Sequence, residues 1–399
     1  MTRVTRRHFL PTALIAALAL LAIAATPAMA AKRKVPFGFF GTVFNVEADQ
    51  ASSSAATRDA QMALMARSGV ESLRVFFSWP DLEPQQGVYN WSRIDQIVGA
   101  AARHRIAILA NVLATPRWAS SRPNSEYPLR QPPRDPALYA NFLKTLIERY
   151  GPEGSFWTAN PSIPKVPVRQ WQIWNEQMAP WFWDSKPWAK SYVKMLKVTY
   201  RTIHTADRGA KVVAGSFVGV GDYTQWEGIR DLYKAGAKGY FDTIAVHPFT
   251  NDPTSARNSV SRMLEIVKRV RAVMKKRRDA RRTIILTELT WPAAVPKVPK
   301  SRRLGLETTA KGQRARMKVA YSQLAKVRRK MRITHTYWFA WATPYDNNTP
   351  QSDVSYRYTG LSRVDGPGVF KRMPILSTFT SQASKYQGCR KSADARRCR

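Results

Sequence analysis

The feature that most constrains the fold is an eightfold alternation of short apolar runs with longer amphipathic runs. Most of the apolar runs are continuous, which is typical of strands that are buried on both faces. These predicted strands lie at residues 37–44, 72–77, 106–113, 169–174, 211–217, 243–246, 283–286 and 336–341. The amphipathic runs place apolar residues at helical spacing. They are predicted near residues 55–68, 94–102, 135–150, 187–207, 222–235, 256–278, 317–327 and 374–386.

A strand followed by a helix, repeated eight times, predicts an α/β chain that forms a single (β/α)8 TIM barrel. An open doubly wound sheet usually carries a Gly-rich phosphate-binding turn after its first strand. Here Asn45-Val46-Glu47 follows that strand instead. The Pro-rich stretches 116–136 and 151–167 fall between predicted strands and helices, so we interpret them as loops of one domain covering residues 31–386.

The two ends of the sequence have a different character. Residues 1–30 predict a signal peptide, with arginines at positions 3, 6 and 7, an apolar stretch at 10–25 and an A-x-A cleavage site at 28–30. Ordinary signals also carry two arginines by chance, so the twin-arginine and the general export routes both stay open. We expect an extracellular, cell-wall associated or periplasmic protein without a transmembrane segment in its mature chain. The basic tail 387–399 contains Cys389 and Cys398, which can close a disulfide.

The charge balance is strongly basic, since 64 Lys and Arg stand against 27 Asp and Glu, a formal net charge of +37. Such a charge attracts polyanions. Its densest runs, 268–282 and 311–332, overlap predicted helices, so a solvated outer surface is the first interpretation and affinity for an anionic cell-surface polymer is the second. Nucleic acid is not an expected partner, because no recognition motif accompanies the charge.

Two predicted strands lead into glutamates. The fourth leads into Asn175-Glu176 and the seventh into Glu288. Strands four and seven lie on roughly opposite sides of an eight-stranded barrel, so their terminal carboxylates can face each other across its mouth. Glycoside cleavage needs such a pair, one group to protonate the leaving oxygen and one to act at the anomeric carbon. Structural acids balanced by arginine are the alternative, although buried carboxylates are costly without partners.

The sequence around these glutamates resembles the glycoside hydrolases of clan A, especially families 39 and 5. The segment 171–176, Trp-Gln-Ile-Trp-Asn-Glu, is similar to the W-N-E segment of that clan, and 286–288, Leu-Thr-Glu, is similar to its T-E segment. The resemblance implies that Glu176 is the general acid/base and Glu288 the nucleophile. It also implies retaining hydrolysis of a β-linked oligo- or polysaccharide, with no cofactor and no metal.

The same resemblance assigns further site residues. Arg74 would keep the nucleophile ionised, because an opposite charge nearby favours a carboxylate. Asn175 would bind the sugar 2-hydroxyl. His247 matches the histidine of the sixth strand, with a structural histidine as the alternative. Trp341, at the predicted end of the eighth strand, would form the aromatic platform under the sugar, whereas Trp338 is predicted to be in the core.

Two positions depart from the clan pattern. Gln177 stands where proline usually follows the acid/base glutamate. Phe249 stands where many members have a tyrosine that donates to the nucleophile. Loss of that donor would change the basicity of the nucleophile, unless another phenol such as Tyr345 or Tyr223 replaces it.

Aromatic residues are concentrated in the predicted loops of the active face. Sugar rings stack on aromatic side chains, so an extended carbohydrate groove is expected, with Trp118, Trp181 and Trp183 as substrate-binding residues. The wider set, half or more of which should contact ligand, adds Phe182, Trp188, Trp226 and Trp291. The alternative function is a non-catalytic or weakly catalytic barrel that binds an anionic cell-wall or capsular polysaccharide.

Overall fold

The computed structural model of the chain describes residues 1–2, 32–344 and 354–389. Nearly all of the predicted signal peptide lies outside these residues. Tyr345 and Cys398, the predicted partner of Cys389, lie outside them as well.

Eight parallel strands form a closed barrel in chain order, and the last strand pairs with the first. The predicted (β/α)8 barrel is therefore confirmed. The strands are β1 (Phe40–Phe44), β2 (Ser72–Ser78), β3 (Ala107–Leu113), β4 (Gln170–Ile173), β5 (Lys211–Phe217), β6 (Thr243–Val246), β7 (Thr283–Leu289) and β8 (Ile333–Trp338).

Helices return the chain from the carboxyl end of each strand to the start of the next, and three short helices lie in the loops. The helices are α1 (Val46–Ala51), α2 (Ala55–Arg67), α3 (Trp79–Leu82), α4 (Ser92–Arg103), α5 (Pro136–Tyr150), α6 (Ser155–Ala159), α7 (Trp188–Ala206), α8 (Gln225–Lys234), α9 (Ala256–Lys276), α10 (Ala310–Met331) and α11 (Pro374–Gln387). Local sequence fixes several of their starts. Thr224 and Glu227, for example, form a reciprocal capping box at the start of α8.

The core has two parts. A large apolar layer fills the space between the helices and the outer face of the barrel. A smaller cluster fills the barrel interior with side chains contributed by different strands, as in other barrels of this type. That cluster consists of Val43, Leu109, Val213, Ala245, Ile285, Tyr337 and Ala340. Because the interior is packed, ligands reach the barrel only at its ends.

The eighth strand lies three residues earlier in the chain than the sequence predicts. The structure places β8 at 333–338, so the strand ends at Trp338 and not at Trp341. The chain then forms a small sheet that the sequence analysis did not predict. It consists of β9 (Ala342–Pro344), β10 (Ser362–Gly366) and β11 (Val369–Arg372). Among the described residues, none of the helices is both long and apolar enough to span a membrane.

Candidate active site

Two glutamates meet at the carboxyl ends of the strands. Glu176 lies three residues beyond the end of β4, and Glu288 lies near the end of β7. One oxygen of each carboxylate and one ring nitrogen of His247 all lie within 4.8 Å of one another. The two residues are mostly buried but remain 9% and 7% exposed. The structure therefore brings both predicted carboxylates to one solvent-accessible point at the mouth of the barrel.

The backbone that carries Glu176 adopts an uncommon conformation. Trp174 and Glu176 have φ values of 71° and 44°, in the left-handed region that non-glycine residues seldom occupy. Each such residue costs about 1–3 kcal/mol unless its surroundings hold it in place. Two hydrogen bonds do so, from Trp174 N to Val112 O (2.9 Å) and from Glu176 N to the Ser216 hydroxyl (3.0 Å). The strand end is thus bent so that the carboxylate of Glu176 turns toward His247.

Arg74 connects three strands through its guanidinium group. Its Nη1 donates to Glu288 Oε1 (2.6 Å), its Nη2 to Asn175 Oδ1 (2.7 Å) and its Nε to Gln172 Oε1 (2.8 Å). The side chain is fully buried. Burial lowers the pKa of Arg74, an effect that the charge of Glu288 opposes. Since arginine keeps its proton at physiological pH, Arg74 holds Glu288 in a buried ion pair.

His247 touches both carboxylates. Its Nδ1 lies 2.7 Å from Glu176 Oε1, and its Nε2 lies 3.6 Å from Glu288 Oε1. The ring is completely buried, and this burial lowers the pKa of His247 to about 3. The imidazole is therefore neutral near pH 7. Nδ1 of a neutral ring can accept a hydrogen bond from a protonated Glu176. In the other tautomer, Nδ1 carries the proton and donates a hydrogen bond to the Glu176 carboxylate.

Residues to which the sequence analysis gave no role in the site complete this network. The Ser216 hydroxyl donates to Asn175 Oδ1 (2.8 Å) and accepts from Glu176 N. Gln172 accepts from Arg74. Gln177, one of the two departures from the clan pattern, accepts from Ser216 N (3.1 Å). Gln172 belongs to the W-N-E segment itself, whereas Ser216 is identified only when β5 is aligned beside β4.

Two tryptophans predicted to bind substrate lie instead in the core. Trp341 is fully buried, and its Nε1 donates to Gln61 Oε1 (3.0 Å). Trp183 is 1% exposed and packs edge-on against Trp174, with ring centroids 4.8 Å apart. Neither ring presents a face to solvent, so the predictions that they contact sugar are wrong. Trp291, from the wider aromatic set, is also buried.

The other predicted aromatic residues differ in exposure. Trp181 is 49% exposed and follows Glu176 in the β4–α7 loop. Trp118 is partly buried, donates through Nε1 to Glu83 O (3.0 Å) and packs edge-on against Trp79. Of the four tryptophans assigned to substrate, Trp181 is the one whose ring is half open to a ligand.

A series of aromatic contacts leads from His247 through Phe249 and Tyr356 to Phe339. Phe249 lies 5.6 Å from the His247 ring, measured between centroids, and 6.0 Å from Tyr356. Phe339, the residue that follows β8, lies 5.7 Å from Tyr356 and is partly buried against the barrel-interior cluster. Phe339 therefore occupies the position at the strand end that the sequence analysis gave to Trp341.

Tyr223 does not replace the missing phenol. Its hydroxyl donates to Asp231 (2.6 Å) and accepts from Trp188 Nε1 (3.3 Å). Both partners lie on the outer helices α8 and α7, so the hydroxyl is used there. Burial and the Asp231 carboxylate raise the pKa of Tyr223.

Glu176, His247 and Glu288 offer ligand atoms close enough together to hold a metal ion. The guanidinium of Arg74, however, lies 2.6 Å from Glu288 Oε1 and already balances that charge. A second cation beside it would be repelled. The arrangement therefore suits a pair of reactive carboxylates better than a cation.

Comparison with known proteins gives a consistent picture. A family model described as beta-galactosidase, glycoside hydrolase family 42, matches residues 48–128, which include Arg74 but neither glutamate. Solved structures of glycoside hydrolases match nearly the whole described chain. The resemblance is to glycoside hydrolase clan A. None of the curated proteins matches the sequence.

Three of these structures illustrate the likeness. A family 39 enzyme from Bacteroides cellulosilyticus WH2 aligns with a TM-score of 0.60 and 18% identity over 88% of this chain. This chain spans 64% of that enzyme's length. A GH5_18 protein from Bifidobacterium longum subsp. infantis aligns with a TM-score of 0.59 and 15% identity. The alignment covers 88% of this chain and 79% of that protein. A family 5 mannosidase from Rhizomucor miehei aligns with a TM-score of 0.58 and 13% identity. The alignment covers 89% of this chain and 95% of that enzyme. At these identities the likeness concerns the fold.

Proposed function

We propose that the protein is a retaining glycoside hydrolase that cleaves a β-linked glycan by double displacement. The observation that carries this proposal is the meeting of Glu176 and Glu288 at the barrel mouth, with carboxylate oxygens within 4.8 Å. Retaining enzymes place their carboxyl groups about 5–5.5 Å apart, whereas inverting enzymes need about 6.5–9.5 Å to admit a water. The short separation supports direct attack by one carboxylate.

The contacts of the two glutamates support one distribution of the roles. Glu288 forms an ion pair with Arg74, and in this proposal its carboxylate attacks the anomeric carbon. As that bond forms, the bond to the leaving oxygen breaks and Glu176 supplies the proton. Water then enters, Glu176 takes a proton from it, and the hydroxide displaces Glu288 from the sugar. Asn175, fixed by Arg74 and Ser216, is placed to bind the 2-hydroxyl.

The substrate class is inferred from the lining and from the relatives. Phe249, Phe339 and the exposed Trp181 offer apolar surfaces to the C–H faces of sugars. The structural neighbours include a family 39 glycoside hydrolase and a family 5 mannosidase, which supports a carbohydrate substrate. We propose that it acts after export, because residues 1–30 have the composition of a signal peptide.

The test uses Glu176→Ala and Glu288→Ala with a panel of activated aryl β-glycosides. Both variants should lose activity with substrates that have poor leaving groups. Azide should restore turnover in both and give opposite products. The α-glycosyl azide is expected from the variant that lacks the nucleophile, and the β-glycosyl azide from the variant that lacks the acid/base. Glu265→Gln is the matched control, because Glu265 is exposed on α9.

Full activity in either alanine variant would refute the assignment. If the wild-type protein releases no product from any glycan but retains an acidic polysaccharide unchanged, the alternative of a binding barrel replaces it.

A further inference from the structure

An open groove lies at the end of the barrel opposite the candidate active site. Its volume is about 810 Å³, and it is lined by the first residues of β4 to β7, the start of β8 and the segment 278–283. We call it the basal groove. Because the carboxyl ends of the strands point the other way, this groove shares no residue with the site of Glu176 and Glu288.

The basal groove is bordered by the most basic stretch of the described chain. Six of the eight residues from 275 to 282 are Lys or Arg. Arg282 is neutralised, since it pairs with Asp242 (2.7 Å) and lies 3.7 Å from Asp279. The other five form no ion pair with any described residue. They are Lys275, Lys276, Arg277, Arg278 and Arg281.

The acidic groups in the lining are already occupied. Asp242 accepts from Arg282, from His204 Nε2 (3.0 Å) and from Val212 N (3.0 Å). Asp279 accepts from the Tyr233 hydroxyl (2.8 Å). No lining carboxylate therefore remains to balance Lys211, Arg278 and Arg281, which are exposed around the groove. Unbalanced like charges around a concave surface create a positive field that an anion relieves.

Neutral hydrogen-bonding groups line the rest of the groove. Gln170 and His335 approach each other (3.3 Å between nitrogens), and Thr334 lies beside them. Burial lowers the pKa of His335 to about 4, so the ring is uncharged near pH 7. Such groups bind hydroxyls. His335 is the single aromatic ring of the lining, which leaves bases little surface on which to stack.

We propose that the basal groove is a second binding site, for an anionic polysaccharide whose acidic groups contact Lys211, Arg278 and Arg281. Cationic side chains combined with uncharged amide and hydroxyl groups match a chain of acidic sugars. The site holds the polymer on the face opposite the mouth, and its existence does not depend on cleavage.

The test compares two triple variants that remove the same charge. The groove variant is Lys211→Gln/Arg278→Gln/Arg281→Gln. The control is Lys194→Gln/Lys311→Gln/Lys326→Gln, whose exposed lysines lie on the outer helices α7 and α10. Both are made in the Glu176→Gln background so that no polymer is cut. Binding of polygalacturonate, inorganic polyphosphate, a neutral glucan and a single-stranded DNA is measured from 50 to 300 mM NaCl.

Polygalacturonate or polyphosphate should bind the parent protein with strong salt dependence, and the neutral glucan should not compete. In the groove variant the slope of log affinity against log salt should fall by about two to three, whereas the control should change by less than one. The polymer with the larger loss identifies the acidic group as carboxylate or phosphate. Equal losses in the two triple variants, or tighter binding of DNA than of either polymer, would overturn the proposal. Loss of binding in the groove variant but not in the control separates this site from the catalytic one, because both variants carry the same Glu176→Gln change at the mouth.

Discussion

The Nδ1 atom of His247 lies 2.7 Å from Oε1 of Glu176, while Nε2 of the same ring faces Glu288 at 3.6 Å. The candidate acid and the candidate nucleophile thus share one neutral imidazole. In double displacement Glu176 must be protonated in the first step and ionised before the second. His247 can keep its hydrogen bond to Glu176 through both states, because either nitrogen of a neutral ring can carry the proton.

Replacing His247 should therefore affect the proton transfers more than substrate affinity. We expect His247→Ala to lower kcat by about 13- to 160-fold, the equivalent of the roughly 1.5–3 kcal/mol of a hydrogen bond to a charged group. His247→Gln, which restores a hydrogen-bonding group, should recover part of the loss. Pre-steady-state and steady-state rates from pH 4 to 8 provide the measurement. An unchanged pH profile in His247→Ala would contradict the positioning role.

Loss of Arg74 should lower the free energy of unfolding as well as the activity. Arg74→Met leaves Glu288 as a mostly buried carboxylate without its partner, which costs about 3–5 kcal/mol. Arg74→Met/Glu288→Gln should recover much of that free energy of unfolding, although not the activity. Arg269→Met, which breaks an exposed pair with Glu265, should cost at most about 1 kcal/mol. Urea denaturation of the wild type and the three variants measures these differences in the free energy of unfolding.

The pH dependence of stability should contain a contribution from His247. Its pKa is about 3 when folded against 6.5 as the ordinary value, so the unfolded chain binds the proton first as the pH falls. The free energy of unfolding should decrease between pH 6.5 and 3. At pH 5 the free energy of unfolding should be about 2 kcal/mol lower, from this histidine alone, than it is well above pH 6.5. His247→Asn should flatten the curve over that interval. His335 remains in both proteins, so its own contribution cancels in the comparison.

The exposed and buried tryptophans should give opposite phenotypes. Trp181→Ala removes a half-exposed ring and should lower kcat/KM for long glycans by about 2- to 12-fold, the range of a single aromatic contact of about 0.5–1.5 kcal/mol, with little effect on aryl monosaccharides. Trp183→Ala should instead lower the melting temperature, because that ring is packed in the core. If Trp183→Ala selectively impaired long substrates while leaving stability intact, the core placement would be wrong.

The barrel could be predicted because strands buried on both faces leave continuous apolar runs, and residues at their carboxyl ends must meet. Glu176, Glu288, Arg74 and His247 come together for that reason. The end of β8 could not be placed because Thr334, His335 and Thr336 interrupt the apolar pattern at the start of the strand. That error placed the expected platform at Trp341, two residues beyond Phe339, and the Trp341 ring is buried.

Partners of the site residues were harder to predict than the residues themselves. Ser216 is found only through the register of β5 against β4, and continuous apolar runs lack the alternation that would reveal this register. The aromatic-rich loops gave no indication of which rings fold inward, since Trp181 and Trp183 are two residues apart and differ completely in exposure.

Arg74 has one further consequence, because its guanidinium joins β2 to β4 and β7. The first four strands carry Arg74 and lead into Glu176, and the last four lead into His247 and carry Glu288. A half-barrel fragment would hold a single carboxylate and no pair. Turnover, where it is found, therefore reports that both halves of the chain have folded onto each other.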